Sequence, residues 1–116
     1  MRIGAYRFGQ VCIDGRTYEH DVIITGDEVR KRKKKQSKPF REQFGHTPLS
    51  LAEKIPWGCK RLIVGTGAHG GLPVMDDVKR EAKRRGIELT ILPTDEAIEE
   101  LNQSTNETHA ILHVTC

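Results

Sequence analysis

A chain of 116 residues has no room for a second, independently folding core, so residues 1–116 read as one domain. Hydrophobic residues at 36% and charged residues at 30% exclude a disordered chain, and no apolar run approaches the roughly 20 residues that cross a bilayer; without a signal-peptide pattern at the start, the expected compartment is the cytoplasm. The formal charge of +3 is uneven, because eight cations between Arg30 and Arg41, with no acid among them, leave the rest of the chain at −5.

In chain order, Arg2 to Phe8, Gln10 to Asp14 and Thr17 to Thr25 read as strands, with Asp14-Gly15 as a hairpin turn between the last two. The basic run follows and reads as a solvated loop, or as an edge strand whose lysines discourage edge-to-edge pairing. Pro39 to Thr47 has no period and reads as loop. A short helix is then expected from Thr47-Pro48 or Ser50: Pro48 suits a first helical position, Ser50 and Glu53 have capping-box spacing, and Pro56 and Gly58 would stop it.

The second half alternates. Arg61 to Val64 is a short apolar strand that enters Gly65-Thr66-Gly67-Ala68-His69-Gly70-Gly71. After Pro73 comes a helix with Met75, Val78 and Ala82 on one face and Gly86 as its stop. Ile87 to Leu92 is the next strand. Thr94 is the expected N-cap of a second helix with Ala97, Ile98 and Leu101 as its apolar face, and Ala110 to Val114 is the last strand. Strand, helix, strand, helix, strand implies parallel crossover units in a sheet that also takes in the N-terminal strands.

Taken in order, Leu62-Ile63-Val64-Gly65-Thr66-Gly67, Gly86-Ile87, Pro93-Thr94 with Ala97 and Asn102, and His113-Val114-Thr115-Cys116 form a series that resembles the Mth domain family. This domain of unknown function is shared by small archaeal and bacterial proteins, an adipogenesis-associated animal protein and a mitochondrial complex I assembly factor. The resemblance runs from about Gly45 to the end. It implies a three-layer α/β fold: a central mixed sheet with a βαβαβ C-terminal half, an additional N-terminal β-hairpin layer, and helices on the other side. It implies no settled enzyme activity. His46 matches a histidine the family often has before its first helix. Two positions depart: Leu101 stands where many members have an aromatic residue, and the Lys/Arg run stands where some have tryptophans.

Gly65 to Gly70 spells GxGxxG after a strand, yet Pro73 delays the helix and Ile91-Leu92-Pro93 occupies the place of the acidic residue that a dinucleotide site needs. A smaller anion site remains, with Gly65, Thr66, Gly67, Ala68, His69 and Gly70 as its loop and His46 at its edge. His109 and His113 have the i, i+4 spacing of helical metal ligands, but in a strand they stand roughly 13 Å apart, so no metal site is expected. Cys12, Cys59 and Cys116 include no Cys-x-x-Cys pair and suggest neither a disulfide framework nor a zinc ribbon. The leading expectation is a non-catalytic binding or assembly role, with a small anionic ligand at the glycine loop and no cofactor. A protein partner or a second copy of the chain is a further candidate, and no membrane is implied. The alternatives are an enzyme acting on a small anionic substrate with His46 and His69 as acid and base, and, ranked last for want of interleaved aromatics, nucleic-acid binding through Arg30 to Arg41.

Overall fold

The Asp14-Gly15 dipeptide turns the chain as its type predicts, with both residues at positive φ (49° and 81°), the twist of a two-residue hairpin. In the computed structural model, which describes residues 2–105 and 107–116, this turn joins β2 (Gln10–Ile13) to β3 (Arg16–Tyr18). β1 (Ile3–Arg7) pairs with β2 on the other side, giving an antiparallel three-stranded sheet. The stretch expected as one strand over Thr17 to Thr25 is broken instead. β4 (Val22–Thr25) belongs to a different sheet from β3, and the chain crosses between them through Glu19-His20-Asp21. Asp21 marks the break because its carboxylate accepts the Val114 N–H at 3.0 Å, which anchors the start of β4 to the end of the last strand.

The second sheet has five strands in the order β5-β4-β8-β6-β7. β5 (Glu28–Lys31) forms a hairpin with β4 and is an edge strand, so the first part of the basic run is β-structure. A 3₁₀ segment (Lys35–Phe40) and a single turn of helix, α1 (Arg41–Phe44), follow where loop was expected. β6 (Arg61–Thr66), α2 (Asp76–Arg84), β7 (Glu88–Leu92), α3 (Thr94–Asn102) and β8 (Thr108–His113) match the expected alternation within a few residues. β6 runs parallel to both β7 and β8, while β4 is antiparallel to β8, so the sheet is mixed.

The helices lie on opposite faces. From β6 the chain steps outward to β7, and from β7 it steps back across β6 to β8, so two crossovers of the same hand place α2 and α3 on different sides. Ala97 and Ile98 of α3 share a core with Ile3, Val11 and Ile13 of the small sheet and with Ile24, Ile63 and Leu112 of the large one. Val78 of α2 packs in a second core with Ile23, Leu62, Val64 and Ile111, closed by Leu49, Ile55 and Leu72. The small sheet therefore shares its face with α3, and α2 covers the opposite face.

The expected helix after Thr47 does not form. Leu49 makes a parallel bridge to Val74, and a turn follows, with Glu53 N–H bonding to Ser50 C=O at 3.2 Å. The capping-box residues are used elsewhere: the Ser50 hydroxyl faces Ser37, and Glu53 binds Arg32. Asn102, by contrast, has a clear structural task, since its amide both accepts from Ile3 N–H (3.0 Å) and donates to Ile3 C=O (2.9 Å), fixing β1 to the end of α3. Replacing Asn102 with Ala strands both groups of Ile3, and a loss of roughly 2 kcal/mol is expected by urea denaturation. Amide exchange should quicken most along β1.

Candidate functional site

The glycine loop after β6 lies at the carboxyl ends of parallel strands whose connections leave toward opposite faces, the usual ligand crevice of open α/β sheets. Its main-chain donors hold the protein itself. Gly67 N–H bonds to Thr94 Oγ1 at 2.8 Å, Ala68 N–H to Thr115 C=O at 2.9 Å, and His69 and Gly71 N–H to the main-chain oxygen of Cys116 at 2.9 and 3.0 Å. Gly70 N–H turns back to Gly67 C=O and Leu72 N–H to Thr66 C=O, so every donor from Gly67 to Leu72 is engaged. The glycines make this closeness sterically feasible. A Cβ on Gly67, where φ is +103°, would stand 2.2 Å from the Thr115 carbonyl oxygen, and one on Gly65 would stand 2.9 Å from Thr94 Oγ1.

Thr94 is the first residue of α3 and its hydroxyl does not cap the helix; it accepts from Gly67 and donates to the His113 carbonyl at 2.6 Å. The motif residues Gly65, Gly67 and Thr94 thus clasp the segment that follows β8, and Ala97, with no exposed surface, leaves no space for a larger side chain at the α3 contact. His46 and His69 are both exposed, and no side-chain hydrogen bond or ion pair joins either to another group among the described residues. His109 and His113 lie on β8 with separate partners: His109 Nδ1 is 3.1 Å from the Pro56 carbonyl and His113 Nδ1 is 2.8 Å from Asp21.

The charged run is not uniformly solvated. Lys33, Lys34 and Lys35 are exposed, but Arg32 retains only 3% of its surface and Ser37 none. The Arg32 guanidinium binds both oxygens of Glu53 (2.8 and 2.9 Å), Asp21 Oδ2 (2.9 Å) and the Pro48 carbonyl (3.2 Å). Ser37 donates to Glu53 and faces the Ser50 hydroxyl at 2.6 Å. Burial alone would raise the Asp21 pKa, but hydrogen bonds from His113 and Val114 N–H and the nearby Arg32 outweigh it and hold the carboxyl at about 2, below its ordinary 3.8. Arg32 is shifted upward, since Glu53 and Asp21 outweigh the opposing effect of its burial.

Beside this network opens a cavity of about 380 Å³, lined by Ile23, Arg30, Lys31, Lys33, Gln36, Ala52, Glu53 and Lys54. Four of its lining residues are cationic. Neither His46 nor His69 takes part. Sequence reasoning missed Asp21, Arg32 and the pairing of Glu53 with them; the available signals were an acid interrupting an apolar strand and an arginine, the residue able to fork onto a carboxylate, within a run of lysines.

Residues 3–114 match the family described as "Protein of unknown function (DUF498/DUF598)". The chain belongs to this family. The match extends the resemblance noted from Gly45 onward to the N-terminal sheet. Among solved structures, a conserved hypothetical protein from Pyrococcus horikoshii OT3 is 29% identical with a TM-score of 0.79, covering 100% of both chains. The protein MT938 is 26% identical with a TM-score of 0.73 over 99% of this chain and 98% of its own. A Mth938-like domain protein from Bordetella pertussis is 16% identical with a TM-score of 0.63, covers 97% of this chain and 85% of its own, and shares the fold. These relatives bear out the Mth domain and its mixed α/β architecture. Among the described residues no helix is long and apolar enough to cross a membrane.

Two outcomes are expected from the buried network. Arg32→Ala leaves two buried carboxylates without their cation and should cost about 3 to 5 kcal/mol in chemical denaturation, whereas replacing Lys33, Lys34 and Lys35 together with Ser should leave the midpoint nearly unchanged. Because the Asp21 pKa is lowered in the folded state, its contribution is complete above the unfolded value and disappears as pH falls from about 4 through about 2. Roughly 2 kcal/mol of stability should vanish across that window and be absent from the pH profile of Asp21→Asn.

Proposed function

We propose that this protein is cytoplasmic and that the cavity beside β5 is a non-catalytic binding site, which holds a small polyanion such as a phosphate-bearing metabolite. The observation that carries this reading is the cavity itself: Arg30, Lys31, Lys33 and Lys54 all line it, together with the apolar Ile23 and Ala52. Its volume of about 380 Å³ falls within the roughly 300 to 1,000 Å³ of small-molecule sites. Glu53 contributes little opposing field, because both its oxygens are turned to Arg32 and Ser37. A nucleic-acid duplex fits less well, since the run is not one continuous cationic face: Arg32 points inward.

A second reading keeps the anionic ligand at Gly65, Thr66, Gly67, Ala68, His69 and Gly70, with His46 near its edge. In its favour, the N–H groups of Ala68, His69 and Gly71 already face main-chain oxygens, and an anionic group could replace those oxygens if the 115–116 segment moved away. Titration with inorganic pyrophosphate, followed by backbone amide NMR, separates the two. The expected result is shifts clustered at Arg30–Gln36 and Ala52–Lys54, weakened roughly tenfold by Arg30→Glu with Lys33→Glu and suppressed by added salt. Shifts confined to Gly65–Gly71 would move the site to the loop, and no saturable shift at either place would reject anion binding.

A further inference from the structure

Where β8 ends, a hydroxyl, an imidazole and a carboxylate stand in line. His113 Nδ1 lies 2.8 Å from Asp21 Oδ2, and His113 Nε2 lies 3.2 Å from Thr115 Oγ1. Asp21 is held from two further directions, by Val114 N–H on Oδ1 (3.0 Å) and by Arg32 on Oδ2 (2.9 Å). An ionised carboxylate can only accept, so in the neutral ring the proton sits on Nδ1 and points at Asp21. Nε2 then presents a lone pair to Thr115, whose hydroxyl donates to it. That is the geometry in which a histidine works as general base on a hydroxyl while a carboxylate selects the tautomer and stabilises the imidazolium that forms.

A merely structural role does not explain the outer member of this line. Asp21 is already held by Val114 and Arg32, and the Thr115 hydroxyl on the far side of the ring adds nothing to that anchor. Burial is also graded: the side chains of His113 and Asp21 keep 9% and 10% of their surface, while Thr115 is half-buried. The hydroxyl therefore stands at the more open end of the line, and the Asp21 side of the ring is the shielded one. Neither Thr115 nor His113 lines the basic cavity, so this site is separate from the anion site proposed above.

We propose that Thr115 is an activated nucleophile that accepts an acyl group from an ester or thioester, with His113 as general base and Asp21 as its positioning residue. Thr115 Oγ forms a bond to the acyl carbon as its proton passes to His113 Nε2. The ester C–O or thioester C–S bond then breaks, and the departing alcohol or thiol takes the proton from His113. Water, deprotonated by the same nitrogen, attacks the acyl-threonine, releases the acid and restores the hydroxyl. The sequence is redox-neutral.

The test uses the full chain with Cys116→Ser, which removes the neighbouring thiol as a competing nucleophile, and p-nitrophenyl acetate as the probe. The expected result is a burst of p-nitrophenolate stoichiometric with protein and an acetyl group mapped to Thr115 by peptide mass spectrometry. Thr115→Ser should retain the burst, and the nearly isosteric Thr115→Val should abolish it while keeping the native amide spectrum. His113→Gln should slow acetylation of Thr115 by about a hundredfold. Imidazole ¹⁵N shifts supply a readout that a purely structural Asp21 would not move: the neutral wild-type ring should carry its proton on Nδ1, and Asp21→Asn should shift it toward Nε2 as the burst disappears. A burst that persists in Thr115→Val, a folded wild-type protein with no acetyl on Thr115, or equal acetylation of Thr115 in a folded His113→Gln would overturn the proposal. None of these results depends on pyrophosphate binding, so either reading can fail alone.

Discussion

A guanidinium withdrawn from water needs acceptors along nearly all of its N–H directions, and Arg32 draws them from two separate parts of the chain. Asp21 comes from the crossing between the two sheets, while Pro48 and Glu53 come from the irregular segment over the α2 face. Ser37 then satisfies Glu53 and contacts Ser50, which brings the 3₁₀ segment into the same knot. This arrangement accounts for how residues 48–53 hold a defined path with no helix or strand of their own. It also fixes the β4–β5 hairpin relative to that path, and the space left between them is the basic cavity. Removing the arginine would leave two acids buried, a larger penalty than the pair's net contribution when intact.

The glycine loop poses the opposite problem, an excess of donors. A loop from Gly67 to Leu72 at the carboxyl end of a sheet would leave a row of N–H groups seeking oxygen, which is the reason such loops bind phosphates. Here the oxygens of Thr94, Thr115 and Cys116 meet that demand. The same steric permission that lets a pyrophosphate approach glycine lets the chain's own backbone approach, and Gly67 has no space for a Cβ against Thr115. Sequence alone cannot separate these uses, because both require glycine and the partner that decides between them lies about fifty residues away.

The same distinction between local and distant causes divides what was legible in the sequence. β6, α2, β7, α3 and β8 follow from local period, turn residues and helix-end charges, and the Asp14-Gly15 hairpin follows from its own dihedral preferences. The break at Asp21 was invisible because an acid in an otherwise apolar strand can equally be a solvent-facing residue; what places β4 in the second sheet is its pairing with β8, with the Asp21 contact to Val114, 93 positions away, at the start of that pairing. Ser50 and Glu53 were misread for a related reason. Their spacing suits a capping box, but a buried arginine is a stronger competitor for a carboxylate than a helix's first N–H groups. Thr94 was placed correctly at the head of α3, with its hydroxyl assigned to the wrong partner.

The cavity's electrostatics depend on which charges reach it. Counting the run as eight equal cations overstates the field, because Arg32 is neutralised within the protein by Asp21 and Glu53. Three members of the run, Arg30, Lys31 and Lys33, line the cavity, joined by Lys54 from the other wall. Two of those walls belong to elements that the Arg32 network locks together, so the cations are brought to a fixed spacing even though their side chains are long. Their heads remain near solvent, where each interaction is screened by salt and modest alone, and the four share one cleft whose lining also includes the apolar Ile23 and Ala52. On the proposed reading, a ligand with several negative charges interacts with more of these cations at once than a monoanion does. Discrimination by ligand charge then follows from the proposed site, and the buried arginine, which does not line the cavity, holds together the elements that form it.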